Sequence, residues 1–325
     1  MTARKLIGKM HLWLGLSSGL VVFIIAITGC IYAFQDEIQN ATQPYRFVEQ
    51  QDKAFLRPSQ IQQIAGNALP GKHVHAIMYQ GQARAAKAIF YAEPEAGDYY
   101  YFVYINQYTG EVLKVSDEYK TFFRFILDGH FYLWLPHEVG HVIVASATLI
   151  FLVMVISGII LWWPRNKAGR RQRFSIKFNA KWRRKNYDLH NVLGFYVASL
   201  ALVFAITGSV WGFEWFGKMY YGAISGGGSM KPYVDPGSKD TPVAASTNMP
   251  AMDRIWLQLY KGVPANGAIE VHTPETDSSS IAVNVNPDPT TYWKIDYRYF
   301  DQHSLRELSV DHVWGRLRTL KAATN

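Results

Sequence analysis

The chain has 325 residues, 15% aromatic and 18% charged, against about 25% charged in an ordinary soluble protein, and its mean hydropathy is −0.06. Those values exclude a chain wholly embedded in lipid and call for a few membrane spans joined to sizeable soluble pieces. The net charge of +8 is local, because ten of the lysines and arginines lie between Arg165 and Lys185, so nucleic-acid binding gives way to a topological explanation; the single cysteine, Cys30, excludes an internal disulfide and a cysteine-rich metal site.

Residues 1–36 form a short basic end (Arg4, Lys5, Lys9) and a first span, Lys9 to Phe34. Its run of about 20 apolar residues matches the thickness of a bilayer. Ile27-Thr28-Gly29-Cys30 resembles a lipoprotein cleavage box. The same Ala-Ile-Thr-Gly recurs at Ala205–Gly208 with Ser209 in the cysteine's place, so small residues for close helix packing are the better explanation.

Residues 37–137 have a soluble composition. Pro58 to Leu69 predicts an amphipathic helix with Ile61, Ile64, Ala65 and Ala68 on one face. The runs HVHAIMY, KAIFYA, YYYFVYIN and EVLKVS predict strands, the last two joined at Tyr108-Thr109-Gly110. The stretch from Tyr119 to Leu135 is aromatic and suited to headgroup depth.

Pro136 is placed to open a helix, and 138–164 is the second span, ending in Trp162-Trp163-Pro164. Residues 165–187 are the basic loop. Positive loops stay inside, which puts the N-terminus in the cytoplasm and the soluble segments outside. Residues 188–216 are the third span. Residues 217–325 combine a Gly/Pro connector with a second soluble domain: a helix near Met252–Tyr260 and strands GAIEVHT, SIAVNV and WKIDYRYF.

The first and third spans are copies. His11 falls on His190, Gly15 on Gly194, and Ala26–Gly29 on Ala205–Gly208. Asp301-Gln302-His303 matches Asn106-Gln107-Tyr108, so a unit of span, outside domain and second span is used twice. By that pattern a fourth span is expected after the second domain, and it is absent from the sequence. The expected fold is an α-helical transmembrane bundle with three spans present, carrying two α+β domains and built by internal duplication.

One histidine near a membrane boundary can simply snorkel. Two in the same register of a repeat point to a pair of ligands for one buried group. His137-Glu138-Val139-Gly140-His141 fits H-E-x-x-H, which on a helix sets two imidazoles on one face for zinc, with the glutamate as general base. The apolar span that follows supplies no third ligand, which weakens a zinc hydrolase. His73 and His75 alternate on one strand face and form a lesser metal candidate.

The repeated His-x-x-x-Gly, the two Ala-Ile-Thr-Gly tetrads, Trp162-Trp163-Pro164 and the Asn106–Leu113 hairpin resemble bacterial inner-membrane proteins with PepSY domains and PepSY-associated transmembrane helices. The best-understood type resembled is a haem-containing reductase of ferric siderophores. The resemblance implies periplasmic PepSY-like domains and b-type haem held by histidines of the spans. His11 and His190 match the inner axial pair, with Gly15 and Gly194 leaving room for a flat macrocycle. His130, just before the second span, matches the outer ligand best, and His141, on the helix itself, comes next. A second haem b is expected only with the fourth helix. The implied partners are the bilayer, a ferric siderophore or other ferric chelate, and a separate cytoplasmic or quinol donor, since no G-x-G-x-x-G follows a strand. A membrane-anchored binding or inhibitory module without redox activity is the alternative from another class.

Overall fold

The computed structural model describes residues 2–93, 97–164, 173–229, 236–239 and 249–312. The chain divides into two compact units, one of residues 1–35 and 122–232, the other of 36–121 and 233–325.

The first unit is helical. It contains α1 (Ala3–Ala33), α4 (Phe122–Tyr132), α5 (His137–Trp162), α6 (Trp182–Gly212) and α7 (Glu214–Ile224). Three of these, α1, α5 and α6, are long and apolar enough to cross a membrane. Leu12, Trp13, Leu16 and Leu20 on α1 are 58–71% exposed, an arrangement that is stable against acyl chains and costly against water. Helix α5 packs against both α1 and α6, and α4 packs on α1. Small residues make the close approaches: a Cβ on Gly212 would lie 2.8 Å from the Ala145 Cβ, and one on Gly208 would lie 3.1 Å from the Thr148 methyl.

Helices α1 and α6 start about two turns before the apolar runs, because the lysines and arginines ahead of each run are good helix formers. The expected loop 165–187 is therefore partly helix, and 165–172 lie outside the described residues. Helix α7 occupies the start of the stretch expected to be linker. The aromatic stretch expected at headgroup depth contains α4 and falls in the helical unit, so the first segment of the other unit ends at Thr121.

A tight corner joins α4 to α5. Leu133 and Trp134 both have left-handed backbone, φ 54° and 57°, a conformation costing about 1–2 kcal/mol per L-residue. Trp134 offsets this: its indole N–H donates to the Phe125 carbonyl at 2.8 Å and its ring stacks on Phe125. Gly140, one turn into α5, faces the Tyr132 backbone. A Cβ there would overlap the Tyr132 carbonyl oxygen and lie 2.7 Å from its Cα.

The second unit holds α2 (Gln35–Thr42), α3 (Pro58–Ala68), β1 (Ala76–Gln80), β2 (Ala86–Ala92), β3 (Tyr99–Ile105), β4 (Val112–Asp117), α8 (Ala251–Tyr260), β5 (Ala268–His272), β6 (Ile281–Asn286), β7 (Asp296–Phe300) and β8 (Glu307–His312). Where the sequence suggests two domains, the strands among the described residues form one antiparallel sheet of eight, ordered β4-β3-β2-β1-β5-β6-β7-β8. The join is β1 with β5, from Ala76 opposite His272 to Gln80 opposite Ala268. Each half alone would leave that strand as a bare edge, and pairing removes both edges at once.

Helices α3 and α8 share a core with the sheet, built on Ile61, Ala65, Ile255, Trp256, Val103 and Val271. The buried Asp253 of α8 ties the halves together, accepting from the Ser59 amide at 2.9 Å and the Ser59 hydroxyl at 2.6 Å. It thereby satisfies a first-turn N–H of α3, for which Arg57 at the helix entry supplies no side-chain acceptor.

The same hairpin is built twice. The Asn106 Oδ1 accepts from the Tyr108 amide, and the Asp301 Oδ1 accepts from the His303 amide, both at 2.9 Å. Gln107 donates to the Gly81 and Gln82 carbonyls, and Gln302 donates to the Thr276 carbonyl. Gly110 and Leu305 close the two turns with φ 80° and 60°, and each hairpin carries a register shift at its end, between Tyr104 and Ile105 and between Tyr299 and Phe300.

Candidate functional site

The helical unit contains a cavity of about 480 Å³ at the end where α1 and α6 begin and α5 finishes. His11 from α1 and His190 from α6 both line it, and their ring centres are 6.3 Å apart with planes inclined at 67°. The repeat therefore places its two equivalent histidines on one opening. Two imidazoles that hold one metal ion from opposite sides through bonds of about 2 Å have ring centres roughly 6 Å apart, so the pair is spaced as such ligands are. A third histidine, cysteine or carboxylate in metal-holding range is absent from this and every other cluster among the described residues. The donor set thus suits a metal that brings its own equatorial ligands, as haem iron does.

The rest of the lining is apolar except at the mouth. Gly194 has open space where a Cβ would project, whereas one on Gly15 would touch the Met154 methyl at 3.4 Å. Of the two glycines expected to make room, Gly194 faces the cavity and Gly15 packs on α5. Trp162 stacks on Phe195 with ring centres 3.9 Å apart, and its buried indole N–H has no partner among the described residues. Arg4 and Arg173 also line the opening. Arg4 donates to the Leu161 carbonyl, near the end of α5, and Arg173 donates to the Asn191 Oδ1 at 2.7 Å. Both guanidiniums keep donors to spare, which suits a ligand with carboxylates at one edge.

His11 is oriented by α5. Its Nδ1 lies 2.9 Å from the Ser157 hydroxyl, and a Cβ on Gly158 would lie 3.2 Å from its Cε1. Sequence reasoning missed Ser157, Gly158, Arg4 and Arg173. A signal for two of them was present, since Ile156-Ser157-Gly158 is a third variant of the Ile-Thr-Gly found in the other two spans.

His130 stands apart from this pair. It is half-buried at the end of α4, with Nδ1 2.9 Å from the Ile25 carbonyl and 3.3 Å from the Thr28 hydroxyl of α1. His11 and Gly29, which touches the His130 ring, are separated by about 27 Å of helix, so His130 belongs to a different station. His137 and His141 stack one turn apart on α5, ring centres 5.7 Å and planes 9° apart. Glu138 beside them is exposed. No third ligand stands with them among the described residues, as a zinc hydrolase would require.

In the sheet unit, His75 meets His272 across the β1–β5 join, with ring centres 5.1 Å apart and planes at 89°. Glu275 lies 3.7 Å from His75 and Glu270 lies 3.7 Å from His272. His73 has no part in this group. Burial lowers the His272 pKa below the usual histidine value and His75 lowers it further, while Glu270 opposes them. A depressed histidine pKa favours the neutral ring in the folded state. The stability it contributes is complete above the unfolded value near 6.5 and declines as the pH falls below it. Amide exchange at β1 and β5, corrected for intrinsic rate, should accelerate between pH 7 and pH 5, and His272→Gln should flatten that change. An unaltered pH profile in the variant would assign the dependence to other groups.

A bundle of three candidate spans and an antiparallel-sheet unit define a membrane protein that carries a sheet module. The chain belongs to the PepSY-associated TM region family, which it matches over residues 9–319. No curated protein matches it.

Proposed function

We propose that this chain is a haem-carrying electron-transfer protein of the bacterial inner membrane that reduces ferric siderophores or related ferric chelates on the periplasmic side. The observation that carries the reading is the His11–His190 pair on a shared cavity, 6.3 Å between ring centres, in equivalent positions of a repeated helix. Haem, when bound, supplies a one-electron ferric/ferrous couple with no open coordination site. His11 and His190 would hold its iron, Gly194 would admit its plane, and Arg4 and Arg173 would meet its carboxylates. His130 is the candidate ligand at the opposite end of α1 for a second haem, whose other ligand would have to come from a fourth helix.

The orientation follows the basic residues. The cluster from Arg165 to Lys185 and the N-terminal Arg4 and Lys5 are at the cytoplasmic face, which sets the sheet unit in the periplasm. The matched hairpins support an internal duplication. A separate reductant, a quinol or a cytoplasmic donor, would give up electrons near His11 and His190, and the chelated ferric ion would take one and leave as the more weakly held ferrous ion.

A membrane-anchored binding module is the second reading. It is favoured by the aromatic sheet face, where Tyr91, Tyr100, Phe102 and Tyr104 form a chain of edge contacts. An optical spectrum of protein purified with ample haem supply separates the two. The reading expects a six-coordinate b-type spectrum that, once reduced, is reoxidised by a ferric chelate. A colourless protein would overturn it and leave the binding module.

A further inference from the structure

We infer that Ser157 and Gly158 are positioning residues that seat His11 in one tautomer and aim its Nε2 at the cavity, and that Thr28 and Gly29 form the corresponding seat for His130. The inference rests on the proposed haem reading for its purpose and on hydrogen bonding for its substance.

The Ser157 hydroxyl lies 3.0 Å from the Met154 carbonyl, a group that can only accept and so takes the hydroxyl proton in this arrangement. With that proton on the carbonyl, the hydroxyl meets His11 as an acceptor, and the 2.9 Å contact then takes a proton from the His11 Nδ1, the tautomer we infer. A neutral imidazole then has its lone pair on Nε2, the nitrogen free to bind metal. Gly158 completes the seat, since a side chain there would press on the His11 Cε1 from 3.2 Å.

His130 repeats the arrangement on another helix. Its Nδ1 lies 2.9 Å from the Ile25 carbonyl, a group that can only accept. The neighbouring Thr28 hydroxyl donates to the Ile24 carbonyl at 2.8 Å, so it too faces Nδ1 as an acceptor. Gly29 lets the ring approach to 3.0 Å from where a Cβ would stand. Ile-Ser-Gly on α5 and Ile-Thr-Gly on α1 thus each hold an imidazole of another helix by its Nδ1 edge. The third tripeptide, Ile206-Thr207-Gly208, sets Gly208 against the Thr148 methyl instead. Two histidines on different helices, each held at Nδ1 beside a variant of one tripeptide, are the expected design for metal ligands, whose second nitrogen is normally tied to an acceptor. Packing alone has no use for the choice of tautomer.

The test uses the full chain in nanodiscs with nitrogen-15-labelled histidine, the His11 signals being identified by their loss in His11→Ala. Wild type without haem should show His11 protonated on Nδ1. Ser157→Ala should give a mixture of tautomers, and Ser157→Thr should restore the single one. Haem titration should then show about 10- to 100-fold weaker retention in Ser157→Ala, the usual cost of losing such a partner, with Ser157→Thr near wild type. Protonation on Nε2 in wild type, or a Ser157→Ala protein unchanged in both tautomer and haem retention, would overturn the seat. A wild type with the expected tautomer and no affinity for haem would leave the seat standing and remove the haem reading.

Discussion

Replacing His190 by alanine should, on the proposed haem reading, abolish the low-spin, six-coordinate signal of the His11–His190 centre, leaving either a high-spin five-coordinate species or an empty cavity. His11→Ala should do the same, because the two rings face each other on one cavity. His130→Ala should leave that signal in place, since His130 stands at the far end of α1 and touches Ile25, Thr28 and Gly29. The measurement is the difference spectrum of each variant, oxidised and dithionite-reduced, at matched protein concentration. A His190→Ala protein with an intact low-spin spectrum would place the haem on other residues and detach the cavity from the function proposed for it.

Gly140→Ala should be among the most destabilising single substitutions in the helical unit. The added methyl would overlap the Tyr132 carbonyl oxygen and press on the Tyr132 Cα from 2.7 Å. Backbone on one side and a helix on the other leave no flexible side chain to yield. The corner is already held against its own preferences by Leu133 and Trp134. Overpacking of this kind costs about 1–3 kcal/mol, occasionally more, and the upper end is expected here. The check is the thermal stability of the detergent-solubilised protein, with His141→Ala and Glu138→Gln as controls expected to change it little. Because α4 carries His130, the outer histidine should lose its contact with α1 in the same variant. Gly140 falls on a position that the H-E-x-x-H pattern leaves open, and the close approach of the Tyr132 backbone explains the glycine there.

The spans were legible because hydropathy over about 20 residues is a strong, local signal. The strands and the two hairpins were legible for a similar reason, since turn residues such as Asn106, Tyr108 and Gly110 act within their own neighbourhood. The joining of two segments into one sheet was not legible. The alternation in HVHAIMY and GAIEVHT shows that each strand has a buried face, but nothing in either strand names its partner. At the site, the repeat exposed His11 and His190 because both copies of the helix carry them. Ser157 and Gly158 escaped because they sit on the unrepeated span, and Ser157 replaces the threonine of the other two tripeptides. Arg4 and Arg173 were absorbed into the count of topological charge, which accounts for their sign and leaves their position open.

The join between β1 and β5 also sets an order of events during synthesis. The Thr273 hydroxyl donates to the Val74 carbonyl, 199 positions away along the chain, and the residues of α4 to α7 are made in between. Until the second segment emerges, β1 presents an unpaired row of amides and carbonyls beside a half-built core. Such long-range pairing forms slowly, and an open strand edge invites the wrong neighbour. The newborn first segment therefore has a waiting period in which a holding factor, or the strand edge of another nascent copy, competes with its own second half. The length of that interval is set by the roughly 200 residues that separate the two paired strands.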